Sequence, residues 1–245
     1  MADRRYVPTH SFSADAPCFC GSDKPFGECC GSVQSNRDAP RQIGIVQNFL
    51  SRTECHTILA DAEAHKREWL TTFDEERSTP ENAVFKKDPA RVTEYVHPGD
   101  HAPLYEALVR KALNENIAPF YRVQPDFFEP PNLLRYQPGG TYAAHADAEH
   151  YDFSANSWYR FCDRDISLLL YLNDDYVGGG LRFNLLNYTY QPQAGDLVFF
   201  PSSHFFQHES LVIQSGIKWA LVCWAAVKNS PRVIADYSRF NIYHV

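Results

Sequence analysis

Short apolar runs broken by proline, glycine or asparagine fill the chain beyond residue 124. Runs of this length between turn-forming residues predict β-strands, and their close spacing predicts a sandwich or jelly roll. The predicted strands are 133–136, 143–147, 166–172, 181–183, 197–200, 205–212 and 219–227. We therefore expect a mainly β fold whose core lies in the second half of the chain.

The first half of the chain has helical signals. Residues 43–50 predict a strand, and Ser51-Arg52-Thr53-Glu54 has the capping-box pattern that begins a helix, which we expect to run to about residue 69. Pro80 and Pro89 interrupt the charged stretch 70–100, which predicts loops with a strand near 91–96. An apolar stripe over 103–118 predicts a second, amphipathic helix. Two helices should therefore brace the β core.

Composition and charge narrow the class of protein. The chain has 245 residues, with 17 Phe, 14 Tyr and 4 Trp that favour β structure, and its net charge is −7. A negative charge argues against a general nucleic-acid or acidic-membrane partner. The N-terminus lacks the apolar stretch of a secretory signal, and no later run is long enough to span a bilayer. We expect a cytoplasmic protein.

Four of the seven cysteines fall within thirteen residues, at Cys18, Cys20, Cys29 and Cys30. In a reducing compartment, clustered cysteines bind metal more often than they form disulfides. Local disulfides or unligated thiols are the alternative. So short a segment cannot bury a core, and a tetrahedral thiolate site would supply its folding energy.

The spacing Cys-x-Cys, eight residues, Cys-Cys, with Gly21-Ser22 after the second cysteine and the aromatic Phe26, resembles the SEC-C zinc knuckle. The resemblance implies a structural zinc on the four cysteines. It places a knuckle at 17–31, after a flexible N-terminus (1–16) and before a polar linker (32–40). The knuckle is a candidate docking site for a protein partner.

The second half of the chain contains His145-Ala146-Asp147, a histidine and an aspartate that share one face of a strand. One further histidine would complete a two-His-one-carboxylate site, which suits non-haem Fe(II) with open coordination positions. His150 and Asp152 form a second His-x-Asp in a polar stretch. Only the first pair ends the regular series Tyr136-x-x-Gly139-x-x-Tyr142-x-x-His145-x-Asp147, so we favour it.

The third ligand is His204 or His208. Counting from His208, glycine stands eight residues on, Lys218 ten and Trp219 eleven. This spacing is similar to that of prolyl 4-hydroxylase-like Fe(II)/2-oxoglutarate dioxygenases, which also show the tyrosine series. Their Tyr-Leu-Asn, Gly-Gly and Pro-x-x-Gly-x-x-x-x-Phe elements recur at 171–173, 178–183 and 192–200. His204 is then a loop histidine.

The resemblance implies a double-stranded β-helix (jelly roll or cupin-like) in a catalytic domain, 41–229, followed by a C-terminal extension, 230–245. It implies Fe(II) on His145, Asp147 and His208, with 2-oxoglutarate as cosubstrate and ascorbate as an optional reductant. The distal carboxylate of 2-oxoglutarate needs a buried cation and a donor. The candidate cosubstrate contacts are Lys218, Tyr136, Tyr142 and Tyr171. Strand alternation turns Lys218 away from Trp219, so only one of the two can face the barrel interior.

The function implied is hydroxylation of a C–H bond, with release of succinate and CO2, on a prolyl residue of a protein or peptide. Two alternatives stay open: the same chemistry on a free amino acid or small metabolite, and a non-catalytic zinc-knuckle binding protein with a degraded oxygenase core. The glycines 178–180 predict a tight turn. The roles of Arg182 and of the segment 149–164, long enough to cover a substrate, stay undecided.

Overall fold

Helices and strands alternate in the first half of the protein in the computed structural model, which describes residues 13–18, 22–30, 39–73, 77, 79, 82 and 84–245. The helices are α1 (Arg52–Ala62), α2 (Ala102–Lys111) and α3 (Ala118–Tyr121), and a π-helical turn (Ala112–Ile117) joins α2 to α3. Short 3-10 turns lie at Phe26–Glu28, Gly99–His101 and His204–Phe206. Of the expected segments, 1–12, 19–21 and 31–38 lie outside the described residues.

The strands are β1 (Gly44–Val46), β2 (Arg67–Trp69), β3 (Thr71–Phe73), β4 (Phe85–Lys87), β5 (Arg91–Val92), β6 (Glu94–Val96), β7 (Pro125–Phe128), β8 (Asn132–Tyr136), β9 (Thr141–His145), β10 (Glu149–Asp152), β11 (Ser157–Arg160), β12 (Ile166–Tyr171), β13 (Val177–Gly178), β14 (Leu181–Phe183), β15 (Tyr188–Tyr190), β16 (Leu197–Pro201), β17 (His208–Ser210), β18 (Ile213–Ser215), β19 (Lys218–Val227) and β20 (Tyr243–His244). The expected mainly β architecture with bracing helices is confirmed.

Two antiparallel sheets form the body of the protein. The larger has the order β1-β16-β12-β19-β8-β6-β2, with β7 pairing β19 and β20. The smaller has the order β15-β14-β17-β9-β5. Non-consecutive neighbours such as β12 and β19 show that both sheets are assembled from distant segments. Strands β10 and β11 form a separate hairpin beyond the end of β9.

Strand β19 shows how the larger sheet divides the interior. Its residues Trp219, Leu221 and Cys223 belong to an apolar cluster with Ile58 of α1 and Val109 of α2. The intervening residues of β19 face the opposite way, into a cavity bordered by both sheets. This alternation follows from the two-residue period of a strand. The larger sheet therefore has the helices on one face and the smaller sheet on the other.

Three of the predicted elements are wrong in extent. Helix α1 ends at Ala62 rather than near residue 69, because 67–69 form β2, which pairs with β6. The predicted strand 43–50 is only three residues long, and Asn48 in a left-handed conformation (φ 55°) follows it. The predicted strand 205–212 is a 3-10 turn followed by the three residues of β17.

The capping box at the start of α1 is present as predicted. The Ser51 side chain accepts from the backbone N–H of Glu54, and the Glu54 carboxylate accepts from the backbone N–H of Ser51 at 2.8 Å. Among the described residues, no helix is both long and apolar enough to cross a membrane.

Candidate metal centre and adjoining cavity

Three side chains predicted from the sequence converge at the end of the smaller sheet. His145 is the last residue of β9, Asp147 follows it, and His208 is the first residue of β17, paired directly with His145. Nε2 of His145 lies 3.4 Å from Oδ1 of Asp147, and Nε2 of His208 lies 3.7 Å from Oδ2. All three ligand atoms lie within 4.8 Å of one another. This is the spacing of three protein ligands around one cation.

Backbone carbonyls fix the orientation of both imidazole rings. Nδ1 of His145 donates to the carbonyl oxygen of Ala143 at 2.8 Å, and Nδ1 of His208 donates to that of Phe206 at 3.0 Å. Because a carbonyl only accepts, each ring has a hydrogen on Nδ1, and its Nε2 points at the Asp147 carboxylate. A cation bound between the two Nε2 atoms and the carboxylate would fit this arrangement. The donor set fits a divalent metal.

The protonation states of His208 and Asp147 near pH 7 favour metal binding. Burial lowers the pKa of His208 to about 4, helped by repulsion from His145, so its ring is neutral near pH 7. Burial works against ionisation of Asp147, but the adjacent His208 and His145 outweigh it and hold the pKa of Asp147 well below its usual range. Oδ2 of Asp147 also accepts from the Ser167 hydroxyl at 2.6 Å. Neutral imidazoles and an ionised carboxylate are the forms that ligate metals.

The alternative ligands do not join this cluster. His150 is exposed on β10 and packs on Phe161. Oδ1 of Asp152 accepts from the backbone N–H groups of Ser154 and Ala155, in the turn of the β10–β11 hairpin. His204 begins a 3-10 turn and donates to a carboxylate of the same hairpin. Segment 149–164 is therefore largely this hairpin.

A cavity of about 520 Å³, counting the space at its mouth, extends from the three ligands between the two sheets. Lys218 lies in its wall and is 2 % exposed. Its ammonium group donates to the carbonyl oxygen of Gly179 at 2.8 Å and to the Ser210 hydroxyl at 2.5 Å, and it lies 4.7 Å from the centre of the Tyr136 ring. Burial lowers the pKa of Lys218 to about 7. An anion in the cavity would offset this cost.

The three predicted pocket tyrosines line this cavity in different ways. Tyr136 pairs with Lys218 across β8 and β19, so the two side chains share a face. Tyr142 stacks on the His145 ring, with centroids 3.7 Å apart. Tyr171 is fully buried, and its hydroxyl has no hydrogen-bond partner among the described residues. An unpartnered buried hydroxyl beside a buried ammonium fits a carboxylate ligand.

Several residues of the site were not predicted from the sequence. Ser167 binds Asp147, Ser210 binds Lys218, and Trp224 lines the cavity with Arg164 stacked on its ring at 3.9 Å. The local signals were available for two of them. Ser167 is the polar residue of an otherwise apolar strand start, Ile166–Tyr171, and Ser210 follows His208 by two, on the same face of the strand.

The glycine turn and Arg182 have structural roles. Gly178 and Gly179 have φ values of 85° and 65°, and a Cβ on Gly178 would lie 2.2 Å from the carbonyl oxygen of Val212. The predicted tight turn is present, and it presents the Gly179 carbonyl to Lys218. Arg182 is exposed on β14 and donates to Glu209 at 2.6 Å. Its guanidinium does not line the cavity.

A second candidate metal cluster lies near the N-terminus. The sulfur atoms of Cys18, Cys29 and Cys30 lie within 4.8 Å of one another and are not disulfide-bonded. Cys20, the fourth predicted ligand, lies outside the described residues. Cys18 and Cys30 are buried in the apolar cluster that contains Ile43, the residue before β1.

Comparisons with known proteins agree with this geometry. Residues 131–226 match the family described as the 2OG-Fe(II) oxygenase superfamily. The chain is 27 % identical over 207 residues to prolyl 4-hydroxylase 13 of Arabidopsis thaliana, covering 75 % of this chain and 70 % of that protein. It is similar in structure to the viral collagen prolyl hydroxylase of Paramecium bursaria Chlorella virus-1, solved with 2OG (TM-score 0.54, 21 % identity, 76 % and 97 % covered). A prolyl hydroxylase of Trichoplax adhaerens, solved with a hypoxia inducible factor peptide, gives a TM-score of 0.55 at 15 % identity, with 76 % and 84 % covered.

The two-sheet fold is the double-stranded β-helix of these structural neighbours, and with the family match it defines a 2-oxoglutarate-dependent dioxygenase. Residues 131–226 are similar to the 2OG-Fe(II) oxygenase superfamily, and the chain is similar over 207 residues to a prolyl 4-hydroxylase. The predicted fold class, enzyme class and use of Fe(II) and 2-oxoglutarate are confirmed. The assignment of individual residues to iron, zinc and cosubstrate stays a prediction.

Proposed function

We propose that His145, Asp147 and His208 bind Fe(II), that Lys218 and Tyr136 bind the distal carboxylate of 2-oxoglutarate, and that the enzyme hydroxylates a prolyl residue of a protein or peptide. The observation that carries the proposal is the buried ammonium group of Lys218 in the same cavity as the three converging ligands. A buried cation without a carboxylate partner is costly, and the cavity offers room for the missing anion.

When bound together, Fe(II) and 2-oxoglutarate supply oxidative decarboxylation of the cosubstrate and oxygen insertion into a C–H bond. The protein side chains bind and orient. Lys218 would hold the distal carboxylate by charge, and the hydroxyl groups of Tyr136 and Tyr171 would hold it by hydrogen bonds. Three facial ligands leave the remaining coordination positions open. Apolar wall residues such as Leu134 and Ala220 exclude water from the cosubstrate end of the cavity.

Strand β19 runs along the cavity from the proposed cosubstrate end to the proposed substrate end. Lys218 and Trp224 are six residues apart on the same face, about 20 Å along an extended strand. Trp224 pairs across the sheet with Ser167, which holds Asp147. The metal ligands therefore lie toward the Trp224 end, and the substrate would enter there.

The Trp224 end of the cavity is suited to an apolar ring. Trp224, Leu169 and Val222 line it. Arg164 is held against the Trp224 ring by paired hydrogen bonds to Glu129 at 2.6 and 2.7 Å. A fixed aromatic wall favours a flat, apolar side chain such as that of proline. The names of the relatives, prolyl 4-hydroxylases, and the peptide bound to one structural neighbour support a peptidyl substrate.

Succinate release tests the enzyme proposal directly. Iron-loaded protein should convert 2-oxoglutarate to succinate, faster with proline-containing peptides than with free proline, and the peptide should gain one oxygen by mass spectrometry. Equal stimulation by free amino acids would favour a small-molecule substrate. Absence of any cosubstrate turnover, with or without substrate, would rule out this function and favour a binding protein.

Replacing Trp224 by alanine should separate the effect on substrate binding from the effect on cosubstrate binding. We expect peptide-stimulated turnover to fall by about 10-fold or more, since a buried aromatic wall contributes at least about one to two kcal/mol. Turnover of 2-oxoglutarate without peptide and its KM should stay close to wild type. A rise in the KM for 2-oxoglutarate instead would place Trp224 in the cosubstrate half of the site.

We also propose that Cys18, Cys20, Cys29 and Cys30 bind one structural zinc ion and that the knuckle docks a protein partner. The convergence of three of the sulfur atoms supports the zinc site. A closed set of four thiolates leaves no open position, so this metal would be structural rather than catalytic. Because the buried cysteines pack in a cluster shared with the catalytic core, zinc loss should also lower the stability of that core.

Zinc content gives the test of the knuckle. Protein purified without added metal should contain about one zinc per chain, and the Cys29→Ser/Cys30→Ser variant should contain none and melt at a lower temperature. Cys162→Ser, a change outside the knuckle, should keep its zinc. Retention of zinc in the double variant would show that the ion is held elsewhere.

A further inference from the structure

Glu149, His204 and Trp158 form a cluster beside the metal centre whose role the proposed function leaves open. One oxygen of Glu149, Oε2, accepts from the backbone N–H of His204 at 2.6 Å and from Nδ1 of the same residue at 2.5 Å. Trp158 stacks on the His204 ring, with centroids 4.9 Å apart and planes 8° from parallel. The side chains of His204 and Glu149 are only 16 % and 20 % exposed. We call this cluster the clasp.

The clasp joins the two chain segments that carry the metal ligands. Glu149 follows Asp147 by two residues, and His204 precedes His208 by four. A backbone bond runs parallel to the clasp, from the N–H of Ala148 to the carbonyl oxygen of Ser202 at 3.0 Å. These contacts connect residues that are distant in sequence, so together with the pairing of β9 and β17 they hold the two segments at a fixed distance.

The turn fixed by the clasp also orients the His208 ring. His204 begins the 3-10 turn His204–Phe206, and the backbone N–H of Gln207 donates back to the His204 carbonyl at 3.1 Å. The carbonyl oxygen of Phe206, at the end of that turn, receives the Nδ1 hydrogen of His208. A shift of the turn would therefore rotate the His208 ring relative to Asp147.

We propose that the Glu149–His204 pair, covered by Trp158, is a positioning device that fixes His208 against His145 and Asp147 and thereby sets metal affinity. The proposal rests on the proposed iron site. Two short hydrogen bonds to one carboxylate oxygen are directional, and the stacked indole restricts the ring to one plane. Partners of this kind one step removed from a metal ligand typically change metal affinity or activity by about 10–100-fold.

The alternative is that the clasp only fastens the β10–β11 hairpin to the body. In that case its loss would lower the melting temperature and increase exchange of the hairpin amides, while the metal centre would be unaffected. Metal affinity and the ligand-field absorption of Co(II) at the site distinguish the two roles, because neither depends on turnover.

Four variants separate the parts of the clasp. Glu149→Gln removes the charge at nearly constant shape, and His204→Phe keeps a stacking ring but removes the donor. His204→Asn restores a donor near the position of Nδ1 without the ring. His150→Phe, on the same strand as Glu149 but exposed and on the opposite face, is the matched control.

We expect Glu149→Gln and His204→Phe each to weaken Fe(II) and Co(II) binding by about 10-fold or more, with altered Co(II) spectra. Their combination should weaken it little further, because both remove the same interaction. His204→Asn should recover part of the affinity, and His150→Phe should match wild type. None of the variants should abolish turnover.

Wild-type affinity and spectra in both Glu149→Gln and His204→Phe would overturn the positioning role, whatever their melting temperatures. Asp147→Asn measured in parallel keeps this result separate from the proposed function. If Asp147→Asn binds metal like wild type, the iron site itself is wrong. If Asp147→Asn loses the metal and the clasp variants do not, only the clasp proposal fails.

Discussion

Asp147→Asn is expected to reduce 2-oxoglutarate turnover by more than about 100-fold, because loss of a direct ligand should cost more than the roughly 10–100-fold typical of a ligand's neighbour. The matched change Asp152→Asn should leave turnover within about twofold, the usual range for substitutions away from a site. Both aspartates end a His-x-Asp sequence, and they stand close together in the chain. The comparison therefore tests which pair binds iron.

The two changes differ because the carboxylates have different partners. Asp147 is buried against both histidines, and an amide there removes the negative charge that offsets the metal. Asp152 accepts backbone hydrogen bonds through Oδ1, and asparagine keeps an oxygen in that position. Succinate production and iron content per chain are the measurements. Full iron content in Asp147→Asn, or its loss in Asp152→Asn, would reverse the assignment.

The local part of the site was predictable from sequence spacing. His145 and Asp147 share a face because they are two apart at the end of a strand, and the turn at Gly139 (φ 84°) begins that strand. The predicted orientation of Lys218 is also found, since it faces the cavity while Trp219 packs toward the helices. In each case the signal lies within a few residues of the feature.

The contacts that complete the site join distant segments and leave no local pattern. Ser167 reaches Asp147 across 20 residues, and Glu149 meets His204 across 55. A serine in an apolar strand and a histidine in a polar loop are both common in proteins without any metal site, so neither residue indicates a partner by itself. The packing of the two sheets against each other and the course of the 3-10 turn bring these groups together.

The error in α1 has the same origin. The sequence after Ala62 continues with residues that tolerate a helix, and no proline or glycine ends it before residue 69. Helix formation there competes with strand pairing of Arg67–Trp69 against Glu94–Val96. That partner strand is far along the chain, beyond the range of local periodicity. Pairing with β6 therefore makes 67–69 a strand rather than the end of α1.

Lys218→Met should raise the KM for 2-oxoglutarate by about 10–100-fold, the cost of removing a charged hydrogen-bond partner from a buried carboxylate. The change keeps the apolar stem in its place between the sheets, so the metal affinity should stay near that of wild type. Lys228→Met, on the exposed end beyond β19, is the matched control and should leave the KM unchanged. An unaltered KM in Lys218→Met would remove the lysine from the cosubstrate site.

The pH dependence gives an independent check on the same lysine. In the unliganded protein burial lowers the pKa of Lys218 to about 7, whereas in the unfolded chain the lysine titrates at its ordinary value of about 10.4. Between these values the unfolded chain binds a proton that the folded protein lacks, so the free energy of unfolding should rise with pH across that window. Lys218→Met should remove this part of the rise.

Affinity for 2-oxoglutarate should change in the opposite direction, weakening by up to about tenfold per pH unit above about 7, because the cosubstrate needs the ammonium form. An affinity that does not fall from about pH 7 to about pH 9 would show that another cation holds the distal carboxylate.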